Sequence, residues 1–344
     1  MGGFLDKISG LLKKDIKEVF SSEAVKNLTR LANTDIADLA GDKKAQKILK
    51  RIEKSPEDVN LYIQLADTYR SIEKFDKAVD VYIGVAQKYL EQQNLSQTNY
   101  FVNMALDLVP DHGPLNMFSA DVDIRMGRFS EAPGKYRKAA EYFIKKGDKM
   151  TAVFLLRRIK DMNKANDKDL LNLSGLMIAE NMNEESRAIL NHLLDKFKNK
   201  GGVSLRDKEA CLMMLLSLDK DDKYVLAELV ETRIEMKEYE RALVLLKKLL
   251  SSDPQNIALL KRQAFIYKMM EDYEKQANIF RTIASIYEKE GNMVYRNIFY
   301  HKVLKLFPED IEALTVLKME DKLRENISNK IENTDSKIKM VDLE

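Results

Sequence analysis

Along most of this chain hydrophobic residues fall three and four apart with charged residues between them, which places them on one stripe of successive α-helices. Each stripe needs a neighbouring helix to cover it, and the stripes repeat. Leu226, Tyr239, Ala242, Leu246 and Leu249 are followed 34 residues later by Leu260, Tyr273, Gln276, Phe280 and Ile283, all but one retaining bulk or apolarity. Phe75, Tyr82, Val85, Ala86, Tyr89, Phe101 and Pro110 recur 198 residues on as Tyr273, Phe280, Ile283, Ala284, Tyr287, Phe299 and Pro308. A third spacing, 54 residues, copies Phe75, Ala78, Tyr82, Ala86 and Tyr89 onto Phe129, Ala132, Tyr136, Ala140 and Phe143. One helical unit is being reused, so the pattern predicts an all-α repeat stack.

Small residues, Ala66, Ala78 and Ala242, sit where two helices approach closely, and the large rings Tyr69, Tyr82 and Phe280 suit the wider gaps. In the segment 59–86, Tyr62, Leu65, Ala66, Tyr69, Phe75, Ala78 and Tyr82 follow the large, apolar, small and aromatic pattern of the tetratricopeptide repeat family, and Pro254 and Pro308 match its closing proline. Over roughly residues 56–320 the chain resembles that family. The resemblance implies an α-solenoid of antiparallel helical hairpins wound as a tetratricopeptide-like superhelix, in which the first helix of each hairpin lines a concave, partner-binding groove. Here that face carries Asn60, Ile63, Asp67 and Arg70 in one unit and Lys261, Phe265 and Lys268 in another. Lys261 and Lys268 are suited to a carboxylate. Phe265 stands where family members that clamp a peptide's terminal carboxylate place asparagine, so binding of chaperone tails is not implied. Tyr82, Val85, Ala86 and Tyr89 fit both the end of one hairpin and the start of the next, so hairpins are expected to share helices, with the 34-residue frame re-phased at 82, 136 and 280.

Turn chemistry sets the boundaries. Asp111, His112, Gly113 and Pro114 read as a turn, as do Asp253 and Pro254, and Lys200, Gly201 and Gly202 as a flexible joint ahead of a capping box at Ser204 and Asp207. Pro133 and Gly134 fall in the first turn of their helix, where proline's missing donor costs little. The expected organisation is an amphipathic helical segment over 1–42, sub-stacks over 43–200 and 201–322, and a capping helix with a frayed charged tail over 323–344, the capping stripe being Leu323, Ile327 and Ile331.

Composition adds mainly exclusions. The 344 residues include 57 Lys and Arg against 55 Asp and Glu, interleaved, which gives no face prepared for a polyanion, so nucleic acid is not an expected partner. Neither the start of the chain nor any later segment has the apolar run of a leader or a membrane span, and a cytoplasmic protein with one cysteine fits that balance. Gly2 lacks the Ser or Thr of a myristoylation signal, Asp6 standing in its place. No phosphate-cradling loop, H-E-x-x-H pair or G-x-S-x-G elbow occurs, so no enzyme activity, cofactor or metal is expected. Cys211, in an apolar helix, reads as a small core residue. His112, His192 and His301 read as surface or turn residues, and Met213, Met214, Met269 and Met270 as core filling in preference to an adaptable binding surface. Lys145 with Lys146, Arg157 with Arg158 and Lys247 with Lys248 read as solvated helix faces.

Phe4, Leu5, Ile8, Leu11, Leu12, Ile16, Val19 and Phe20 form one apolar stripe edged by Lys7, Lys13, Lys14 and Lys17. Three surfaces suit it: an anionic membrane, met peripherally; another protein or a second copy of the chain; and the chain's own repeat stack. Asp6, Asp15 and Glu18 dilute its basic charge. The function these features imply is a non-catalytic scaffold or adaptor that binds a segment or helix of other proteins. The alternative is an assembly component recruited to a membrane surface by residues 1–20.

Overall fold

The computed structural model describes residues 43–55, 58–199 and 204–318. Its helices are α1 (Lys43–Lys54), α2 (Val59–Ser71), α3 (Phe75–Glu91), α4 (Leu95–Leu108), α5 (Gly113–Arg125), α6 (Ala132–Lys146), α7 (Lys149–Asp161), α8 (Asp167–Ala179), α9 (Asn183–Asn199), α10 (Leu205–Leu218), α11 (Lys223–Glu235), α12 (Tyr239–Ser252), α13 (Ile257–Met269), α14 (Tyr273–Lys289) and α15 (Met293–Leu306), followed by a helix over 311–318. There is no strand among the described residues. Connections of a few residues force consecutive helices to run antiparallel, and each helix packs chiefly on its chain neighbours. This is the all-α stack of helical hairpins that the periodicity predicts.

The chain divides inside α9, after Leu193, into two compact units. In the first, Leu49, Leu65, Tyr69, Tyr82, Phe101 and Phe118 belong to one continuous core. The second has two clusters, one around Leu226, Leu246 and Ile266 and one around Ile283, Phe299 and Val303. Ala66, Ala78, Ala242, Tyr69 and Tyr82 are buried as expected, whereas Phe280 is only partly covered.

Helix caps resolve the mixed spacings. Asp58, His112, Asn166, Asp222, Asn256 and Asp310 each accept a backbone N–H at the start of a helix, and they recur at intervals of 54, 54, 56, 34 and 54 residues. Such a side chain satisfies one of the donors that a helix start leaves unpaired. The first helix of each complete interval, α2, α5, α8, α11 or α13, has 13 residues. It is closed by a left-handed residue, Glu73, Gly127, Asn181, Lys237 or Glu271. In each case the next N–H reaches back to a carbonyl of the last turn at 2.8–2.9 Å, as in Lys74 to Tyr69 and Asp272 to Tyr267.

The 34-residue interval holds two helices, α11 and α12, and every 54-residue interval holds three. The expected sharing of helices is therefore replaced by an added one. Tyr82, Val85, Ala86 and Tyr89 all lie in α3, and α4 is inserted before the next first helix. Because three is odd, α5 runs opposite to α2, in the other layer of the stack.

Several local expectations change. Gly113 and Pro114 open α5 instead of forming a turn, with His112 as the cap. Gly113 is needed for a close approach: a Cβ there would lie 2.3 Å from the Tyr142 ring. Ser204 does cap α10, accepting from the Asp207 N–H at 3.3 Å, and a full capping box forms at Asn166 and Asp169. Met213 and Met269 are about half exposed at 46% and 45%, and Met270 is exposed as well, so they do not fill the core. The stripe there is completed by Cys211, Leu212, Leu215, Ala264 and Ile266 instead.

Gly113→Ala should destabilise the chain by about 2 kcal/mol through overpacking against Tyr142. Gly134→Ala, built into open space within α6, should stabilise it by up to about 1 kcal/mol; thermal melts of the two variants give the comparison.

His112 caps with Nδ1 as acceptor from Leu115 N–H at 3.2 Å, which requires the neutral ring. Burial lowers its pKa below 6.5, opposed in part by the charge of Asp76. The unfolded chain therefore binds this proton more readily. The cap's contribution should be full above about pH 6.5 and decline as pH falls from there towards the lowered folded-state value. His112→Asn keeps an acceptor without the titration, so its melting temperature should vary less between pH 7.5 and 5.5 than that of the parent chain.

Candidate functional site

In the second unit α11 and α13 lie side by side over α12, and a groove of about 450 Å³ opens between them. Its apolar lining comes from Ala227 and Val230 of α11, Leu246 and Leu249 of α12, and Ala258 of α13. Helical spacing puts Ala227 and Glu231 on one edge and Ala258, Arg262 and Phe265 on the other. Arg262 forms a two-pronged ion pair with Glu231, with Nε 2.6 Å from Oε1, and its guanidinium lies 5.5 Å from the Phe265 ring. These contacts set the spacing of the two edges while using up the Arg262 charge.

Lys261 and Phe265 line this groove, and Phe265 is 39% exposed. Lys268 lies one turn further along α13, exposed and outside the lining. Lys261 and Lys268 form no ion pair among the described residues, and the Lys261 ammonium sits 5.6 Å from the centre of the Phe299 ring of α15. Asn60, Asp67 and Arg70 are exposed on α2 in the first unit, with Ile63 partly buried against the core. Asp67 Oδ1 accepts from the Tyr82 hydroxyl at 2.9 Å, and burial, with Asp67 as second cause, pushes that phenol up to about 12. Asp67 therefore holds α3 against α2. The candidates Phe4, Leu5, Ile8, Leu11, Leu12, Ile16, Val19 and Phe20, and the capping stripe at 323–331, lie outside the described residues.

The corresponding face of α5 in the first unit is closed. Met117, Asp121 and Ile124 occupy the positions of Lys261, Phe265 and Lys268, counted from each helix cap, and all three are buried. Asp121 accepts a short hydrogen bond from the Tyr136 hydroxyl of α6 and pairs with Arg158 Nη1 of α7 at 2.8 Å. Arg158 in turn lies 4.9 Å from the Tyr136 ring. Burial, followed by the Asp121 charge, raises the Tyr136 pKa, so the phenol stays protonated and donates. Two residues on, Asp123, with no side-chain exposure, meets Lys135 Nζ at 2.5 Å and Arg128 Nη2 at 3.2 Å. Arg158 is thus a largely covered, paired side chain and not part of a solvated face. Its pairing depends on which helix covers α5, so the sequence held no local signal beyond two aspartates in a mostly apolar helix.

Little else suggests chemistry. Cys211 is buried, and burial pushes its thiol up to about 12, opposite to the shift a nucleophile needs. His192 and His301 are exposed. Among the described residues no group of three His, Cys, Asp or Glu is placed to hold a metal ion, and no helix is long and apolar enough to cross a membrane.

No protein-family model matches the chain, and no curated protein matches it either. Similar solved structures include a tetratricopeptide repeat protein from Parabacteroides merdae, 13% identical, covering 70% of this chain and 97% of that one with a TM-score of 0.21. The tetratricopeptide domain of P58(IPK) is 11% identical, covers 83% and 99%, and has a TM-score of 0.28. Yeast Tom70 is 16% identical, covers 80% and 61%, and also has a TM-score of 0.28. Values this low transfer no residue or role; the fold stands on the helices themselves.

Arg158→Met should be severely destabilising, by about 3–5 kcal/mol, because it leaves the Asp121 carboxylate buried without its cation. Adding Asp121→Asn should recover part of that loss. Denaturant melts of the parent, the two single variants and the pair measure this coupling.

Proposed function

We propose that this protein is a non-catalytic scaffold that binds a segment of another protein along the face of α11 and α13. The observation that carries this reading is the groove itself, in which Ala258 and Phe265 are exposed above a floor of buried core residues, Val230, Leu246 and Leu249, between two helices whose edges are set by the Glu231–Arg262 pair. A side chain inserted there would bury apolar surface without disturbing the stack, and about 25 cal/mol per Å² of such surface favours docking. Phe265 and the exposed Met269 and Met270 on the same helix end offer adaptable apolar contact area. Lys261 and Lys268 add charge at the rim, where it sets orientation and encounter rate more than affinity. Repeats suit this work because each adds surface without a separate core.

Ala258 is exposed, so Ala258→Arg should fill the groove mouth and leave the fold intact. Proteins cross-linked to the full chain in its native cells should be lost on Ala258→Arg and reduced on Lys261→Glu with Lys268→Glu, with the helical circular dichroism unchanged. If the same partners are recovered at the same yield with all three chains, this groove is not the binding surface.

A further inference from the structure

Counted from the helix caps, α5–α7 and α13–α15 are equivalent three-helix units, so Asp121, Tyr136 and Arg158 correspond to Phe265, Phe280 and Lys302. The cation keeps its place: Arg158 lies 4.9 Å from the Tyr136 ring and the Lys302 ammonium 5.6 Å from the Phe280 ring. Its anion does not. The position of the Asp121 carboxylate is taken by Phe265, and Lys302 forms no ion pair among the described residues.

A second cation joins it. The ammonium groups of Lys302 and Lys261 lie 4.6 and 5.6 Å from the centre of one ring, that of the buried Phe299. In the equivalent unit α2–α4 the same two positions around Phe101 are Ile63 and Met104, which pack on the core as apolar side chains. Neither α13 nor α15 contains an aspartate or glutamate. Arg262 is neutralised by Glu231 and Arg296 by Glu288, while Lys261, Lys268, Lys302 and Lys305 are in no ion pair among the described residues. Two ammonium groups without an ion pair among the described residues therefore share one ring, one of them, Lys261, also lining the groove, at a place where a sister unit holds a carboxylate of its own.

We propose that Lys261 and Lys302 receive an aspartate or glutamate side chain of a bound protein segment, which supplies from outside the carboxylate that Asp121 supplies in α5–α7. This rests on the groove between α11 and α13 being the binding surface, and it adds the chemistry of the partner: acidic residues next to apolar ones. The accessible apolar part of the lining favours a peptide over a phosphodiester or a lipid headgroup, because Ala227, Ala258 and Leu259 have no complement in a row of phosphates.

The test is a selection of displayed random peptides on the full chain, set beside Lys261→Gln with Lys302→Gln and beside the groove-filling Ala258→Arg. The lysine positions are at the surface, so circular dichroism should stay unchanged. Peptides selected by the parent should combine Asp or Glu with apolar residues. One such peptide, labelled, should bind the double glutamine variant at least roughly tenfold more weakly, the order expected for losing one charge-assisted hydrogen bond, and its affinity should fall with added salt. Phe265→Asp, which restores the internal carboxylate, should weaken the same peptide.

Neutral apolar peptides bound equally by parent and glutamine variant, and lost on Ala258→Arg, would overturn the carboxylate site and keep the groove. No selected peptide, or peptides indifferent to Ala258→Arg, would overturn the groove and this inference with it. Preference for a single-stranded oligonucleotide or phosphatidylserine vesicles over every acidic peptide, lost on the lysine changes, would assign the lysines to phosphate instead.

Discussion

None of these helices can hide its apolar stripe alone, and within each unit the cover comes chiefly from the helix before and the helix after it. That nearest-neighbour dependence explains why the caps and turns are so regular. A first helix of fixed length, a capped start and a left-handed exit turn the chain into the next helix in the same local way each time. Only Gly127 among the five left-handed exits is a glycine. The other four residues are held there by the bond back into the last helical turn and by the packing of the following helix, against a local preference that favours glycine.

Regular delivery leaves side chains free to differ at equivalent places. Beside the first helix of three units stand an exposed Asp67 bonded to Tyr82, a buried Asp121 bonded to Tyr136 and Arg158, and an exposed Phe265 at the rim of a groove. Backbone position is shared, while burial is set by what the next helices lay over it. The third helix decides this in α5–α7, where Arg158 of α7 reaches Asp121 and closes the face. In the second unit the pairing of Glu231 with Arg262 spans α11 and α13 at the rim, and the face beside it stays open.

Charge is handled differently in the two settings. Inside α5–α7 the carboxylates of Asp121 and Asp123 have cations in direct contact, because an unpaired charge there would cost several kcal/mol. Around α13 and α15 the lysines remain near water, where an ammonium without a partner costs little. Such a surface is stable in the free protein and still attractive to a carboxylate, since the binding event removes the competing water.

The sequence by itself determined what depends on near neighbours along the chain. Stripes three and four apart announced helices, alanines and tyrosines at the repeat positions announced which residues interlock, and the spacings of 34 and 54 were visible before their meaning was. Lys261 and Phe265, which line the cavity between α11 and α13, could be named as candidates only through the family resemblance. Tertiary structure decided that 54 residues means three helices, that Gly113 makes room for Tyr142, that Arg158 is mostly covered and paired while Lys302 is exposed, and that Met213 and Met269 face outward. The reason is physical: periodicity fixes which side of a helix is apolar, but the burial of a charge or a methionine at the edge of that side depends on a helix that arrives tens of residues later.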